Sequence, residues 1–341
     1  SWGNLADEVV LLPETLKEAG YHTAIVGKWH LGLSSPDLPN DKGFDHFHGF
    51  LGDMMDDYWT HLRGGINWMR LNGEEVHPEG HATEIFSQWS IDYLRERAGQ
   101  EEPFFLYLAY NAPHFPIQPP QDWLDRVLER EKGIGEKRAL NVAFVEHMDH
   151  EIGKVLDELD ALGLSDNTLV FFVSDNGGAL RFAQSNGNLR GGKQDMYEGG
   201  IRVPAIARWP GRIAARTESK QVMLHMDLFP TFCQAAAHAT PTDLDGMGFL
   251  PTLEGRDQRS PDRNLFFVRR EGGPAYGGQA YYAARRGDLK ILQNTPFEAI
   301  QYFDLGSDEL EANALAPDQS CKELRKALQE HIRQAGAVPW Q

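Results

Sequence analysis

The chain of 341 residues is longer than one hydrophobic core usually fills, so its length favours about two domains of unequal size. Lys and Arg number 33 and Asp and Glu number 50, and the resulting net charge of −17 argues against a nucleic-acid partner. The longest apolar runs, such as 169–173, are too short to cross a bilayer, so we expect no transmembrane segment. The two cysteines, Cys233 and Cys321, leave a disulfide open without favouring one.

The first part of the chain alternates predicted helices with apolar strands. A helix over 11–19, with Pro13 in its first turn and Gly20 at its end, precedes a strand that leads to Lys28. Helical spacing returns at 86–94 and 142–162, and each of these helices is followed by an apolar run, 104–109 or 169–173, that we interpret as a buried strand. A further strand is predicted over 203–209. This alternation predicts an α/β fold with a largely parallel sheet sandwiched by helices, in which functional groups gather at the carboxyl ends of the strands.

The sequence changes in character beyond about Ala239. Pro- and Gly-rich links separate short predicted strands at 265–268, 280–285, 289–292 and 302–305, and a final helix contains Leu324 and Leu328. We interpret this part as a small antiparallel sheet with one helix packed on it. The predicted organisation is therefore an α/β catalytic domain at 1–240 and a small C-terminal α+β subdomain at 241–341.

Two basic side chains stand at the end of the first predicted strand, in the run Gly27-Lys28-Trp29-His30-Leu31-Gly32. Lys28 and His30 are two positions apart and project to the same side of an extended segment, while the flanking glycines allow sharp turns. The arrangement suits a bound oxyanion. Either residue alone would more often be a solvated cation or a structural imidazole.

Polar groups also follow the later apolar strands. The loop Asn111-Ala112-Pro113-His114-Phe115-Pro116 holds one imidazole between two prolines, which makes His114 a candidate proton donor. Asp175 and Asn176 follow the strand at 169–173 and offer hard oxygen ligands for calcium or magnesium, although Asp-Asn-Gly is also common in turns. Lys193 lies in the glycine-rich run 188–204, where the backbone can approach a ligand closely.

A second set of metal-ligand types lies on the predicted helix 142–162. His147, His150 and Glu151 have spacings that could hold a metal ion, but the helix also has a complete apolar face. We therefore interpret these three side chains as the solvated side of the helix.

These motifs together resemble the sulfatase family of the alkaline phosphatase superfamily. The run 16–32 is similar to the family's second signature, the loop around His114 has its Ala-Pro-His-x-Pro pattern, and Asp175-Asn176 matches its metal dipeptide. The run 188–204 and the following Trp209-Pro210-Gly211 also match. The similarity continues through 285–290 and 302–305, so it covers nearly the whole chain from about Leu11.

The resemblance implies that the intact protein is a sulfuric ester hydrolase, a sulfatase that cleaves an aryl or carbohydrate sulfate. Lys28 and Lys193 would neutralise sulfate oxygens, and His114 would contact the sulfate and protonate the leaving group. His30 would position the formylglycine nucleophile and assist sulfate release. Asp175 and Asn176 would hold a divalent cation, Ca²⁺ in preference to Mg²⁺. We expect these groups to converge around one anion.

One part of the family pattern does not occur in this sequence. Sulfatases open with a strand that ends in paired aspartates, followed by a Cys/Ser-x-Pro-x-Arg motif whose first residue matures to formylglycine. We expect this segment in the parent protein ahead of Ser1, and turnover by the present chain alone is left open.

The sequence leaves two other functions open. A phosphate or phosphonate ester hydrolase of the same superfamily would use the same groups, and a noncatalytic relative would bind an anion without a nucleophile. Sugar sulfates are a reasonable expectation for the substrate, and a periplasmic or secreted location for the protein. Nothing in the sequence indicates the oligomeric state.

Overall fold

The structure is a computed structural model that describes residues 4–6, 8–258, 262–270 and 280–335. The chain divides into two compact units, unit 1 (Ser1–Val170 and Arg208–Gln258) and unit 2 (Phe171–Ala207 and Arg259–Gln341). The domain boundary at 240 remains a prediction. The helices are α1 (Leu12–Glu18), α2 (Ala82–Arg97), α3 (Gln121–Arg130), α4 (Glu136–Ala161), α5 (Glu198–Ile201), α6 (Leu228–Ala235), α7 (Leu250–Leu253) and α8 (Gln319–Ala335).

Each strand that the sequence predicted is present close to its predicted position. They are β1 (His22–Lys28), β2 (His46–Phe50), β3 (Leu62–Arg63), β4 (Ile66–Asn67), β5 (Met69–Leu71), β6 (Glu74–Glu75), β7 (Phe104–Ala109), β8 (Val170–Val173), β9 (Ala205–Arg208), β10 (Leu265–Arg270), β11 (Ala280–Arg286), β12 (Leu289–Gln293) and β13 (Gln301–Asp304). The sequence analysis did not predict β2 or the short strands β3 to β6.

The main sheet of unit 1 has five strands in the order β6-β5-β2-β1-β7. The strand β1 pairs in parallel with both β2 and β7, whereas β2 pairs antiparallel with β5, and β5 antiparallel with β6. The sheet is therefore mixed with a parallel centre, and the predicted α/β class is confirmed. Parallel pairing matters for function because the carboxyl ends of β1, β2 and β7 share one edge of the sheet.

Both faces of this sheet are covered, which explains why β1 has apolar residues at the consecutive positions 24–26. Val26 and Phe50 pack on one face with Phe86 of α2 and Phe144 of α4. Ile25 and Phe47 pack on the other face with Trp29 and Phe44, and Phe105 of β7 meets Phe232 of α6 there. Neighbouring residues of a strand point to opposite faces, so a strand covered on both sides needs apolar residues at consecutive positions.

Two strands differ from the prediction. We expected 104–109 to be buried, but β7 ends the described sheet and Tyr107 is 52 % exposed. We also expected 169–173 in the main sheet, but β8 pairs with β9 in a separate two-stranded sheet. An apolar run indicates that a strand packs against something, but it does not specify the neighbouring strand or how many edges are covered.

Unit 2 contains the predicted antiparallel sheet, with the order β10-β11-β12-β13. The helix α8 places Cys321, Leu324 and Leu328 against one face of it. The other face packs on Met196 and on apolar side chains around α5. The predicted sheet-plus-helix arrangement is confirmed, and the sheet also supports the segment that carries Lys193.

The structure also bears on the expectations about membrane-spanning helices and a disulfide. Among the described residues, no helix combines the length and the apolar character needed to cross a membrane. Cys233 and Cys321 are both buried free thiols.

Two histidines of β2 lie beneath α2, and both have lowered pKa values. His46 and His48 on β2 share a face of the sheet, and the His48 ring stacks on Trp89 of α2 with ring centroids 3.4 Å apart. Desolvation lowers the pKa of His46, and it lowers the pKa of His48 to about 3, with the nearby His46 also contributing. Both rings are therefore neutral in the folded protein at pH 7.

We expect the folded state to lose stability as the pH falls from about 6.5 towards 3. Between these values His48 binds a proton in the unfolded chain but not in the folded protein. The free energy of unfolding therefore falls by at most about 1.4 kcal/mol for each pH unit because of this group. Partial exposure of the ring makes the true slope smaller. His48→Phe keeps the stacking without the titration, and the fall in its thermal midpoint between pH 7 and pH 4.5 should be smaller than in the native protein.

The matched control is His77→Phe, because the His77 side chain is 76 % exposed. Its thermal midpoint should fall with pH as steeply as that of the native protein. Equal slopes for all three proteins would rule out the contribution of His48.

Candidate active site

The carboxyl end of β1 is built around a glycine that lets three strands come together. Gly27 has a φ of +109°, and a Cβ there would lie 2.1 Å from the carbonyl oxygen of Ala109 on β7. A Cβ on Gly49 of β2 would in turn lie 1.9 Å from the Gly27 oxygen. The backbones pack too closely for side chains at these positions, so the next residue, Lys28, is placed at a tightly defined point.

His30 follows in a conformation that points it away from the core. Its φ is +62°, and its backbone N–H donates to Leu51 O at 3.1 Å. The preceding Trp29 is buried and donates its indole N–H to Asp37 O at 2.9 Å. Because Trp29 anchors the segment, the partly exposed His30 is held at the end of the strand rather than on a loose loop.

His114 lies in the loop between β7 and α3, which is fixed from two directions. Its backbone N–H donates to Asn111 O at 2.9 Å, and its carbonyl accepts from the Tyr58 hydroxyl at 3.1 Å. The His114 Nδ1 is 2.8 Å from Phe115 O, and since a carbonyl only accepts, Nδ1 is the donor. The other nitrogen, Nε2, is therefore the atom at which a proton can be exchanged with a ligand.

The electrostatic effects on His30 indicate that the three predicted basic residues of unit 1 lie near one another. Desolvation lowers the pKa of His30, and the Lys28 ammonium and the His114 ring lower it further, against an opposing effect of the Asp53 carboxylate. His30 is consequently neutral at pH 7 and able to accept a proton. Lys28, His30 and His114 form one basic cluster at the carboxyl ends of β1 and β7.

Asp53 belongs to this neighbourhood, and the sequence analysis did not identify it. The Arg63 guanidinium donates to both of its carboxylate oxygens, at 2.9 and 3.1 Å, and donates to Asp56 at 2.7 Å. Asp53 follows shortly after β2, which is a parallel neighbour of β1. Recognition of β2 in the sequence would have indicated it, because the carboxyl ends of parallel strands meet at one edge.

In unit 2, Asp175 and Asn176 begin the turn after β8. Asp175 is exposed and Asn176 is half-buried. Within the part of the chain that the structure describes, neither side chain is paired with another protein group, so both oxygens are available to a cation. This donor set is of the type that Ca²⁺ and Mg²⁺ prefer, and it supplies two of the six to eight ligands that Ca²⁺ takes.

Lys193 is hydrogen-bonded directly to this turn. Its backbone N–H donates to Gly178 O at 2.9 Å, and Asn186 accepts from Gly178 N–H at 2.6 Å while donating to Gly191 O at 3.0 Å. A Cβ on Gly192 would lie 2.6 Å from Gly178 O. The glycines predicted to permit close approach thus bring the two backbone segments of unit 2 against each other.

The same segment is secured by a buried charge cluster. The Lys290 ammonium lies 2.8 Å from Glu198 Oε1 and 2.7 Å from Glu311 Oε1, and Glu311 also accepts from the Glu198 N–H at 2.6 Å. All three side chains are 0–3 % exposed. Glu198 begins α5, and Gly200 of that helix accepts from Gly177 N–H at 3.0 Å, next to the Asp175-Asn176 turn. Glu198 therefore stabilises the fold of this segment, and Arg202 makes a surface ion pair with Glu309 at 3.5 Å.

Each unit therefore gathers its own predicted residues. Lys28, His30 and His114 cluster in unit 1, whereas Asp175, Asn176 and Lys193 lie together in unit 2. The expectation that all of them converge on one anion stays a prediction.

We interpreted three side chains of the helix 142–162 as solvated, and this was wrong for two of them, His147 and Glu151. His150 is exposed on α4, but His147 and Glu151 have side chains only 1 % and 2 % exposed. The reason is that α4 packs against both α2 and α3, so more than one face of this long helix is covered.

Two models of known protein families match this sequence. The family model described as sulfatase matches residues 2–238. The chain belongs to the sulfatase family. A second model, described as N-sulphoglucosamine sulphohydrolase, C-terminal, matches residues 192–337.

Curated relatives agree with this assignment. N-acetylgalactosamine-6-sulfatase of Mus musculus is 37 % identical over 324 residues, which cover 90 % of this chain and 58 % of the relative. The Homo sapiens protein of the same name is 37 % identical over 284 residues, which cover 78 % of this chain and 52 % of the relative. The chain thus spans a little over half of the length of these sulfatases.

Solved structures share the fold. The crystal structure of Ps i-CgsB in complex with k-i-k-neocarrahexaose superposes with a TM-score of 0.87 at 27 % identity, covering 98 % of this chain and 76 % of that one. The structure of BT4656 in complex with D-glucosamine-2-N,6-O-disulfate has a TM-score of 0.77 at 22 % identity, covering 97 % and 83 %.

Proposed function

We propose that the protein is a sulfatase that hydrolyses carbohydrate sulfate esters. The observation that carries the proposal is the basic cluster of Lys28, His30 and His114 at the carboxyl ends of two parallel strands. One fixed ammonium and two oriented imidazoles suit a tetrahedral oxyanion, and they supply both charge neutralisation and proton transfer.

The residues of unit 1 have distinct roles in this proposal. The Lys28 ammonium stabilises negative charge on the sulfate oxygens. His114 donates the proton from Nε2 to the leaving alcohol, since its Nδ1 is committed to the backbone. His30, whose pKa is lowered by desolvation, accepts a proton at the step that releases sulfate.

In unit 2, Lys193 is the second cation for sulfate, and Asp175 and Asn176 hold a divalent metal ion. Ca²⁺ fits these oxygen donors, and when bound it would polarise the ester and lower the pKa of the nucleophile. The family's nucleophile is formylglycine, and we propose that a further segment of the parent protein supplies it together with additional metal ligands.

The proposed substrate class rests on the relatives. N-acetylgalactosamine-6-sulfatase is named for a sulfated amino sugar, and Ps i-CgsB, at 27 % identity, was solved in complex with k-i-k-neocarrahexaose. A 6-sulfated hexosamine is therefore the first carbohydrate to test.

The deciding experiment compares ester classes with the full-length protein in the presence of Ca²⁺. We expect turnover of 4-methylumbelliferyl sulfate and of N-acetylgalactosamine 6-sulfate, with little turnover of 4-methylumbelliferyl phosphate. The two fluorogenic esters share a leaving group, so their ratio reports on the anion alone.

Each alternative has its own outcome in this comparison. Faster turnover of the phosphate would favour a phosphate or phosphonate ester hydrolase. Binding of a sulfated sugar without turnover of any ester would favour a noncatalytic relative and would contradict the proposal.

A further inference from the structure

The strongest feature outside the proposed active site is a mixed cluster of carboxylates and imidazole between two helices of unit 1. Glu84 lies in the first turn of α2, and His147 and Glu151 lie one turn apart on α4. Residues at i and i+4 share one face of a helix, so α4 presents both side chains to the start of α2. None of these residues belongs to the sulfatase motifs described above.

The distances within this cluster are close to those around a bound transition metal. His147 Nε2 lies 3.2 Å from Glu84 Oε1 and 4.0 Å from Glu151 Oε1, and the three ligand atoms all lie within 4.8 Å of one another. Tetrahedral coordination at metal–ligand distances of about 2.1 Å places ligand atoms about 3.4 Å apart. Small rotations of the glutamate side chains would bring all three ligand atoms to that spacing.

Burial makes the cluster unlike a surface ion pair. The His147 and Glu151 side chains are 1 % and 2 % exposed, while Glu84 is 45 % exposed. The His147 ring is held between His81, with ring centroids 4.8 Å apart, and Trp123, at 5.8 Å. Its Nδ1 is buried with no hydrogen-bond partner among the described residues, so Nε2 is the nitrogen that the packing directs towards the carboxylates.

The charges in the cluster are not balanced. Two carboxylates face one ammonium, that of Lys154, which lies 2.5 Å from Glu151 Oε1. A buried carboxylate is costly unless it is fully paired, and the Lys154 side chain is 47 % exposed and able to move into solvent. A divalent cation would neutralise both carboxylates and would take the imidazole nitrogen as a third ligand, whereas the observed contact of the Lys154 ammonium is with Glu151.

The cluster is also open to solvent on one side. Glu84, Glu151 and Lys154 line a cleft of about 350 Å³ together with Ser87 and Gln88. An ion can therefore enter without unfolding of the helices, and water can complete its coordination.

We propose that Glu84, His147 and Glu151 form a binding site for a divalent transition-metal ion of the Zn²⁺ class, which links α2 to α4. The imidazole selects this class over Ca²⁺ and Mg²⁺, which prefer oxygen ligands throughout. Lys154 occupies the metal-free site as a competing cation. The proposal is independent of the sulfatase activity and concerns different residues from Asp175 and Asn176.

The test uses Co²⁺ as a spectroscopic probe of the full-length protein after treatment with a chelator. We expect one equivalent of Co²⁺ to give a visible absorption band that Zn²⁺ abolishes by displacement. Glu84→Gln removes a ligand on a half-exposed side chain, so the protein should fold, and it should weaken binding about 100-fold or more. Two matched controls should retain the band: Glu79→Gln, which changes another glutamate of the same cleft, and Asp175→Asn, which changes the other proposed metal site.

A second variant separates a metal site from a simple ion-pair network. Lys154→Met should tighten Co²⁺ binding severalfold, because it removes the competing ammonium, and Zn²⁺ should then raise its thermal midpoint more than that of the native protein. The proposal is overturned if Co²⁺ binding is lost in Asp175→Asn but kept in Glu84→Gln. It is also overturned if Lys154→Met only destabilises the protein, without any gain in metal affinity.

Discussion

Replacing Lys193 by alanine in the full-length protein is expected to reduce kcat/KM for 4-methylumbelliferyl sulfate by about 100-fold or more. The loss of a fixed cation from a transferring anionic group costs this much in comparable electrostatic sites. The main-chain contacts of Lys193 with Gly178 do not depend on its side chain, so the turn that carries Asp175 should keep its conformation. Steady-state kinetics with the native protein and the variant side by side provides the measurement.

The matched control is Lys326→Ala, which removes an exposed lysine from α8 of the same unit. Its kinetics and thermal midpoint should equal those of the native protein. If Lys193→Ala retains near-normal turnover while folding normally, Lys193 does not bind the sulfate group.

Replacing Lys290 by methionine is expected to destabilise unit 2 by about 3–5 kcal/mol. The substitution leaves Glu198 and Glu311 facing each other in the interior without their shared cation, and breaking a buried ion pair from one side has this cost. Burial already raises the pKa of the Glu311 carboxyl, against the opposing effect of Lys290. The free energy of unfolding in urea, followed by a probe in unit 2, provides the measurement.

Compensating substitutions distinguish charge from packing. Glu198→Gln and Glu311→Gln, added to Lys290→Met, remove the two buried carboxylate charges and should recover much of the lost stability. Lys326→Met serves as the control for a lysine-to-methionine change at an exposed site. No recovery in the triple variant would mean that the shape of the Lys290 side chain, rather than its charge, stabilises this region.

The sequence allowed most of the fold to be predicted, for reasons that particular elements illustrate. The predicted helix over 11–19 is α1, and the apolar run 104–109 is β7 with the same boundaries. Both have strong local signals, a proline in the first helical turn and an uninterrupted apolar run. Strand β2 was missed because two histidines and a glycine interrupt its apolar pattern, and these residues are tolerated there because the histidine rings pack under α2.

Residues of the candidate site could be predicted where they belong to a sequence motif. Residues that are brought to their place only by the tertiary structure could not be predicted. Lys28 and His30 lie in a recognisable run at a strand end, and their proximity to His114 follows from the parallel pairing of β1 with β7. Asp53 and Glu84 do not belong to any sequence motif that would indicate a functional residue. Their roles depend on which strand or helix lies beside them, and neither amphipathic spacing nor turn chemistry contains that information.

The buried charge cluster of unit 2 also constrains when this unit can form during synthesis. The backbone of Glu198 meets the carboxylate of Glu311, which lies 113 positions further along the chain, and Arg190 donates to a carbonyl 121 positions away. Contacts so distant in sequence form slowly and only after the intervening chain has left the ribosome. The segment that carries Lys193 therefore completes its folding after translation of the C-terminal sheet, whereas the β1–β2 pairing of unit 1 joins residues only about 22 positions apart and can form much earlier.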